Sequence, residues 1–449
     1  MEQKMQNRPN IIFYFSDQQR WDTVGCYGQK LDVTPHLDQL AKEGIKFEYA
    51  FTCQPVCGPA RSCLQLGQYA TNTGCFTNGI APDFTRKMLA DYFNEAGYET
   101  AYVGKWHLAT DESIGEDYVT TAIPEGRRGG YKDYWMASDV LEFTSHGYNG
   151  YVFDKENQKR EFIGYRADCI NNYAIDYIRN KQTDDPFFLF ISQIEPHHQN
   201  DRDRYEGPDG SKARFKDYEK PGDLAENKGD WKMSYPDYLG CCHSLDKNVG
   251  RLVETLKEKG IYENTIIIYT SDHGSHFKTR NSEYKRSCHE GCIRVPLIVH
   301  GPGFKGGKVI NELVSLIDLP PTLLECAQIE VPEAFEGHSI RPLTQGQMSG
   351  WQEDVFLQIS ESQIGRAIRT KQYKYAIRAQ GDPWKVPSET TFYEDYLYNL
   401  EEDPHEQNNL IEVAAYEGVR EKLRERMKKR MEEVEKECPI ILSSSERPL

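Results

Sequence analysis

Asn10-Ile11-Ile12-Phe13-Tyr14-Phe15-Ser16, at positions 10–16, is an apolar run that passes directly into Asp17-Gln18. A run this short, bounded by polar residues on both sides, reads as a strand buried on both faces. Similar runs recur at 99–103, 187–194 (FFLFISQI), 265–270 (TIIIYT) and 295–300 (VPLIVH). Helical periodicities lie between them. Thr34-Pro35 opens a helix through Leu37, Leu40 and Ala41 that Gly44 stops. Residues 86–96 carry Leu89 and Phe93 and end at Gly97, residues 166–181 repeat Ile170, Ala174, Tyr177 and Ile178, and 235–259 form a long helix closed by Gly260. Apolar runs alternating with helices predict an α/β fold, a large and mostly parallel sheet sandwiched by helices.

The pattern changes at 344–352 (TQGQMSGWQ), which reads as a linker. Beyond it, 354–360, 364–369 and 373–378 are short, closely spaced strands and therefore antiparallel, and 413–436 is a charged closing helix. The expected division is a catalytic domain at 1–345 and a smaller C-terminal α+β subdomain at 346–449. Residues 111–160 and 199–232 read as irregular insertions rich in Gly, Tyr and charge, the second placed to cover a site. Tyr131, Tyr134, Trp135, Tyr148 and Trp231, within these stretches, serve either as sugar-stacking platforms or as structural packing.

A formal charge of −16 argues against a nucleic-acid binder. It leaves small anionic substrates open, because a local basic cluster overrides the global field. No run approaches the length of a membrane span. Met1 to Arg8 is polar and leads straight into the first strand, with no signal-peptide pattern, so the expected location is cytoplasmic. The twelve cysteines, including the adjacent Cys241-Cys242, read as reduced core residues. Cys53, Cys57 and Cys63, or Cys288 and Cys292, lack zinc-like spacing.

Open parallel sheets bind ligands at the carboxyl ends of their strands. Here the strand ends are Asp17-Gln18, Gly104-Lys105-Trp106-His107, Glu195-Pro196-His197-His198 and Asp272-His273-Gly274. Asp17, Gln18, Asp272 and His273 supply two carboxylates, an amide carbonyl and an imidazole, an oxygen-rich set for a divalent cation. Calcium is the leading expectation, with manganese or magnesium as alternatives. Such a cation neutralises ester oxygens and polarises a nucleophile. The nucleophile is offered by Cys57-Gly58-Pro59-Ala60-Arg61. A Cys at a helix start faces unpaired N–H groups and the positive end of the dipole, Pro59 suits the first turn, and Arg61 lies one turn on. Lys105, His107, His197 and Lys285 remain as cations and proton donors for the oxygens of a sulfate or phosphate ester.

At these residues the chain resembles the type I, formylglycine-dependent sulfatases of the alkaline-phosphatase-like superfamily. The matching segments run in order from Pro9-Asn10-Ile11-Ile12 through Asp17, then CGPAR at 57–61, GKWHL at 104–108, EPHH at 195–198, SDHG at 271–274, Lys285 with EGCIRVPLIV at 290–299, and YNLEEDPHEQNNL at 398–410. The resemblance implies that a maturation enzyme oxidises Cys57 to formylglycine. The aldehyde hydrate then attacks sulfur through one hydroxyl and expels sulfate through the other. It further implies that Arg61 holds this group, Lys105 and Lys285 clamp the sulfate, His107 assists the hydrate and His197 protonates the leaving alcohol. Asn78, in TNG, would border the pocket, and position 57 would join Asp17, Gln18, Asp272 and His273 at the cation. The implied substrate is a small sulfate ester, first of all a sulfated sugar. Two departures are present. Asp17-Gln18 and Asp272-His273 replace the more frequent Asp-Asp and Asp-Asn and resemble the phosphonate monoester hydrolase and choline sulfatase branch, which keeps phosphonate monoester or phosphodiester hydrolysis open. Ala60 stands where the motif usually has Ser.

Overall fold

The structure, a computed structural model, describes residues 8–225 and 228–448. Among them a 12-stranded sheet carries the chain's first three quarters. Its parallel centre runs in the order Thr265–Ser271, Asn10–Ser16, Phe187–Ser192, Glu99–Lys105 and Tyr134–Ser138. Because side chains alternate along a strand, each run feeds two cores. Ile11, Phe13 and Phe15 join Phe188, Phe190, Ile266 and Ile268 on one face. Ile12 and Tyr14 join Leu189, Ile191, Ile267 and Tyr269 on the other.

Helices Pro35–Glu43, Arg166–Asn180 and Trp231–Glu258 cover the second face through Leu37, Leu40, Ile170, Ile178, Leu245 and Leu252. Leu89–Glu95 and Leu319–Cys326 cover the first through Leu89, Phe93, Leu319 and Leu323. The expected helix at 235–259 begins one turn earlier, at Trp231, so Pro236 sits inside it rather than at its start.

Several expectations are corrected. The run at 295–300 is split by Pro296, which offers no ladder donor, into Arg294–Val295 and Leu297–His300. Leu297–His300 pairs antiparallel to Thr265–Ser271, since the loop between them holds no helix longer than the single turn Glu290–Ile293 and so no crossover helix returns the chain. Ile45–Phe51, unassigned from the sequence, is a strand whose Lys46 and Glu48 are only partly buried, next to Leu297–His300. The stretch 111–160 is not irregular throughout: Tyr134–Ser138, Asn149–Asp154 and Lys159–Ile163 extend the sheet.

Residues 199–225 and 228–232 are not a loose excursion. Tyr205, Phe215, Leu224 and Trp231 pack with Tyr235, Tyr238 and Phe277, and Asp223 pairs with buried Arg20 at 2.7 Å. Tyr131, Trp135 and Trp231 are buried and serve packing; Tyr134 packs on Tyr177, and Tyr148 is exposed. The second sheet has the order Asp354–Ile359, Ile364–Thr370, Tyr373–Ala379, Thr391–Asn399 and Ile440–Leu442. The closing helix Glu417–Glu435 starts after a 3-10 turn at Ala414–Tyr416 and buries Leu423, Met427 and Met431 against Ile368, Tyr375 and Phe392. No helix among the described residues is long and apolar enough to cross a membrane.

Candidate active site

The four central strand ends deliver their side chains to one rim. Cys57 opens the helix Cys57–Leu66, every residue of which is buried. Its N-cap is Val56, which has no side-chain acceptor, so Asn78 Oδ1 accepts the Gly58 N–H at 2.9 Å instead. Gly58 packs tightly there: a Cβ would lie 3.0 Å from Asn78 Oδ1 and 3.3 Å from the His107 carbonyl, so either neighbour would have to yield by a few tenths of an ångström. Gly104 does the same for Lys105: its φ is +105°, and a Cβ would lie 1.9 Å from the Ser192 carbonyl.

Around the Cys57 sulfur, Lys285 Nζ donates at 2.7 Å, His273 Nε2 lies at 3.3 Å, and Asp17 Oδ1 at 3.4 Å. Asp17 Oδ2 accepts from Lys105 Nζ at 2.7 Å and Arg61 Nη2 at 2.9 Å. Arg61 also reaches Asp272 Oδ2 at 3.4 Å, Ser192 Oγ at 2.6 Å and the Lys105 carbonyl at 3.0 Å. His197 Nε2 is 3.3 Å from Lys285 Nζ and 4.0 Å from Asp17 Oδ1. His107 is held by its backbone: its N–H reaches the Asp139 carbonyl at 2.6 Å, while Asp139 Oδ1 and Oδ2 accept the N–H groups of Leu108, Ala109 and Thr110. His107 Nδ1 is buried without a partner. These contacts link Asp17, Cys57, Arg61, Lys105, His197, Asp272, His273 and Lys285 in one buried cluster, while Asn78 touches the start of the Cys57 helix through the Gly58 N–H.

Ligand atoms of Asp17, Cys57, Asp272 and His273 lie within 4.8 Å of one another. Gln18, at φ +68°, is turned into place: its N–H donates to Asp272 Oδ1 at 2.9 Å. Its Nε2 donates to Tyr205 Oη at 2.9 Å, leaving Oε1 as the end available to a cation. His273 Nδ1 is 2.8 Å from the Gly274 carbonyl, which assigns the proton of the neutral ring to Nδ1 and turns the Nε2 lone pair toward the cluster.

The electrostatics fit the same reading. Burial pushes the Cys57 thiol up, but Lys105, Lys285 and His273 outweigh it and hold the thiol well below its ordinary value. Asp17 is lowered despite burial and Cys57, because Lys105, His197 and Arg61 surround it. Asp272 goes the other way. Burial, then the Asp17 carboxylate, push it up to about 7. A carboxylate that neighbouring cations fail to hold ionised, beside a second carboxylate and an imidazole, is what a divalent cation relieves. The donor set therefore fits a hard cation.

Several site residues were beyond the sequence reading. Ser192 anchors Arg61, and Tyr205 anchors Gln18. Glu142 lies 3.8 Å from His197, with Oε2 facing Nδ1. Glu361, from the hairpin of the second sheet, accepts the Asn78 N–H at 2.7 Å and pairs with Arg286 at 2.6 Å. Ser192 ends a recognised strand and was open to inference; the other three have no local signal.

A parallel sheet whose strand ends gather a helix-start nucleophile, a cation set and flanking lysines defines an alkaline-phosphatase-like hydrolase. The family model for Sulfatase matches residues 9–329, and that for the N-sulphoglucosamine sulphohydrolase C-terminal region matches 282–433. The chain belongs to the sulfatase family and is a sulfuric ester hydrolase. It is 31% identical over 463 residues to the uncharacterized sulfatase YidJ of Escherichia coli (strain K12), covering 95% of this chain and 88% of the relative. It is 27% identical to an N-acetylglucosamine-6-O-sulfatase of Bacteroides thetaiotaomicron, covering 91% of this chain and 84% of the relative. Among solved structures, one in complex with its substrate D-glucosamine-2-N,6-O-disulfate has a TM-score of 0.76 at 23% identity, covering 96% of this chain and 99% of that one. The phosphonate monoester hydrolase of Agrobacterium radiobacter has a TM-score of 0.69 at 21% identity, covering 95% and 96%. Those two likenesses establish the fold.

Proposed function

We propose that this sulfatase hydrolyses the sulfate monoester of a small sulfated carbohydrate, using a nucleophile made from Cys57 by oxidation to formylglycine. The observation that carries the reading is the Cys57 sulfur itself, 2.7 Å from Lys285 Nζ and within one 4.8 Å cluster with Asp17, Asp272 and His273. The relatives named for carbohydrate sulfates support the substrate class.

A divalent cation, calcium first, would be held by Asp17, Gln18, Asp272 and His273 with the group at position 57, and would supply charge neutralisation at the sulfate oxygens. Lys105 and Lys285 bind the remaining oxygens, where negative charge is shared during transfer. Arg61 orients Asp17 and Asp272 through one nitrogen, Nη2, which keeps both carboxylates pointing at one place. His107, whose free Nδ1 is buried and whose backbone is pinned by Asp139, handles a proton of the nucleophile. His197 Nε2 gives its proton to the leaving alcohol. Asn78 holds the start of the nucleophile helix.

The phosphonate monoester or phosphodiester reading rests on one feature, the Gln18 and His273 pair in the cation set. Steady-state kinetics of the matured enzyme on a sulfated monosaccharide, 4-nitrophenyl sulfate and a 4-nitrophenyl phosphodiester separate the two. The expected result is the highest kcat/KM on a sulfate. A phosphodiester dominating by tenfold or more would replace the reading. Intact-peptide mass spectrometry of protein made with its maturation enzyme should find formylglycine at position 57, and a wholly unmodified Cys57 in active enzyme would overturn the nucleophile assignment.

A further inference from the structure

Glu142 is a carboxylate with no evident reason to be buried. It is 4% exposed, and its one ion-pair partner among the described residues is His197. Burying a carboxylate costs several kcal/mol unless it is paired or hydrogen-bonded. Glu142 is not left to chance. Its Oε1 accepts the Asn200 N–H at 2.6 Å, its Oε2 accepts from Asn200 Nδ2 at 3.2 Å, and its own carbonyl accepts from Gln199 Nε2 at 3.2 Å.

The residue before it, Leu141, has φ +62° and ψ −35°, a backbone state that L side chains rarely adopt. The Thr144 and Ser145 hydroxyls hold the Leu141 carbonyl at 3.2 and 2.6 Å. The chain thus maintains an unfavourable backbone conformation where it directs a carboxylate inward, and such strain tends to gather at functional sites.

The object it faces is His197. Glu142 Oε2 lies 3.8 Å from His197 Nδ1, and that nitrogen is buried with no hydrogen-bond partner of its own. The opposite nitrogen, Nε2, faces Lys285 Nζ at 3.3 Å and the Cys57 pocket beyond it. Nε2 is turned toward the reacting centre, and Nδ1 toward the Glu142 carboxylate.

We propose that Glu142 is a positioning residue that fixes the His197 ring for protonation of the leaving alcohol; this rests on the reading of His197 as the proton donor. The Glu142 carboxylate, 3.8 Å from Nδ1, stabilises the proton on that nitrogen by its charge, so the proton that is given up is the one on Nε2. When the sulfur–oxygen bond breaks, its electron pair passes to the leaving oxygen while sulfur bonds to the nucleophile at position 57. The leaving oxygen takes the Nε2 proton, and the ring keeps its Nδ1 proton against Glu142. An Asp behind a catalytic His fixes tautomer and orientation in the same way in serine hydrolases.

The test is a leaving-group series of aryl sulfates, from 4-nitrophenyl sulfate to phenyl sulfate, on matured wild type, Glu142→Gln, Glu142→Ala and His197→Ala. A good leaving group needs little proton donation, and a poor one needs it most. Glu142→Ala should lose about 100-fold in kcat on phenyl sulfate but less than about threefold on 4-nitrophenyl sulfate, with KM nearly unchanged. Glu142→Gln, which retains the shape and an acceptor oxygen, should lose about tenfold on phenyl sulfate, and it carries the test alone if Glu142→Ala does not fold. An equal loss across the series, or a change confined to KM, would overturn the proposal. His197→Ala separates the two readings. If its slope against leaving-group pKa matches wild type, the proton-donor reading itself fails. If it steepens while the Glu142 variants stay parallel to wild type, only the role of Glu142 fails.

Discussion

Two of the buried charge clusters among the described residues are built to opposite ends. One joins the two sheets. Lys374 Nζ sits 2.8 Å from Glu290 Oε1 and 2.5 Å from Glu406 Oε1, and Arg369 Nε is 3.3 Å from Glu290. Two cations face two carboxylates, the Glu290 N–H caps Glu406 at 2.7 Å, and Arg369 spends its other nitrogen on the Thr370 and Lys371 carbonyls. Glu290 is held well below the usual carboxylate range although burial pushes it up, because Arg369 and Lys374 pair it. The other cluster is the rim around Cys57. There Asp272 has no lysine, shares a distant Arg61 with Asp17, and is pushed up to about 7 by burial and by Asp17. The first cluster is closed on itself and acts as a staple. The second gathers the donor set of Asp17, Cys57, Asp272 and His273 within 4.8 Å. Burial pushes one carboxylate up in each cluster, Glu406 in the first and Asp272 in the second; the difference is that Glu406 has Lys374 at 2.5 Å, whereas Asp272 has only the Arg61 it shares with Asp17 and the His273 ring.

That contrast is broken most sharply at the nucleophile. Cys57→Ala should lower turnover by on the order of 10⁴-fold or more, with a melting temperature no lower than that of the unmatured wild type. Calorimetry beside steady-state kinetics checks it, and full turnover would remove Cys57 from the mechanism. The opposite profile is expected for the staple. Lys374→Met leaves Glu406 without its cation and Glu290 with Arg369 alone, and should cost about 3–5 kcal/mol in urea unfolding, while kcat/KM per folded molecule stays within a factor of about two.

The third prediction concerns pH and the cation. Asp272 in the cation-free protein takes up its proton as pH falls through about 7. The cation needs the carboxylate, so binding displaces that proton below this point. Calcium affinity measured by titration calorimetry on stripped protein should be nearly flat above pH 8 and fall about tenfold per unit below 7. A flat affinity down to pH 5 would show that Asp272 is not a ligand. The smallest effect is expected at Ser192, which gives Arg61 one neutral acceptor at 2.6 Å. Ser192→Ala should cost about 1 kcal/mol of transition-state stabilisation, or roughly fivefold in kcat/KM, with no loss of bound cation.

The parallel centre was legible because its strands are apolar on both faces and end in chemistry. Asn10–Ser16 is recognised without its partners, since a short apolar run from Ile11 to Phe15 bounded by polar residues suits a strand covered on both faces. The edges were harder. Ile45–Phe51 alternates apolar residues with Lys46 and Glu48, so a search for unbroken apolar runs passes over it. The direction of Leu297–His300 depends on how the chain returns from Asp272, which no local pattern records. The site divides similarly. Asp17, Lys105, His197 and Asp272 follow strands, and Cys57 begins a helix, so topology delivers them to one rim. Glu361 and Glu142 arrive from a hairpin and from a left-handed turn, at Glu361 φ +65° and Leu141 φ +62°, and only the folded chain brings them to His197 and Asn78.

The account rests on the rim being completed by one cation beside position 57. The most direct measurement is calcium titration calorimetry of wild type against Asp272→Asn, both stripped of metal beforehand. One ion per chain in the wild type and none in the variant, at equal folded content, is the predicted result. Equal stoichiometry and equal affinity in the two proteins would contradict it.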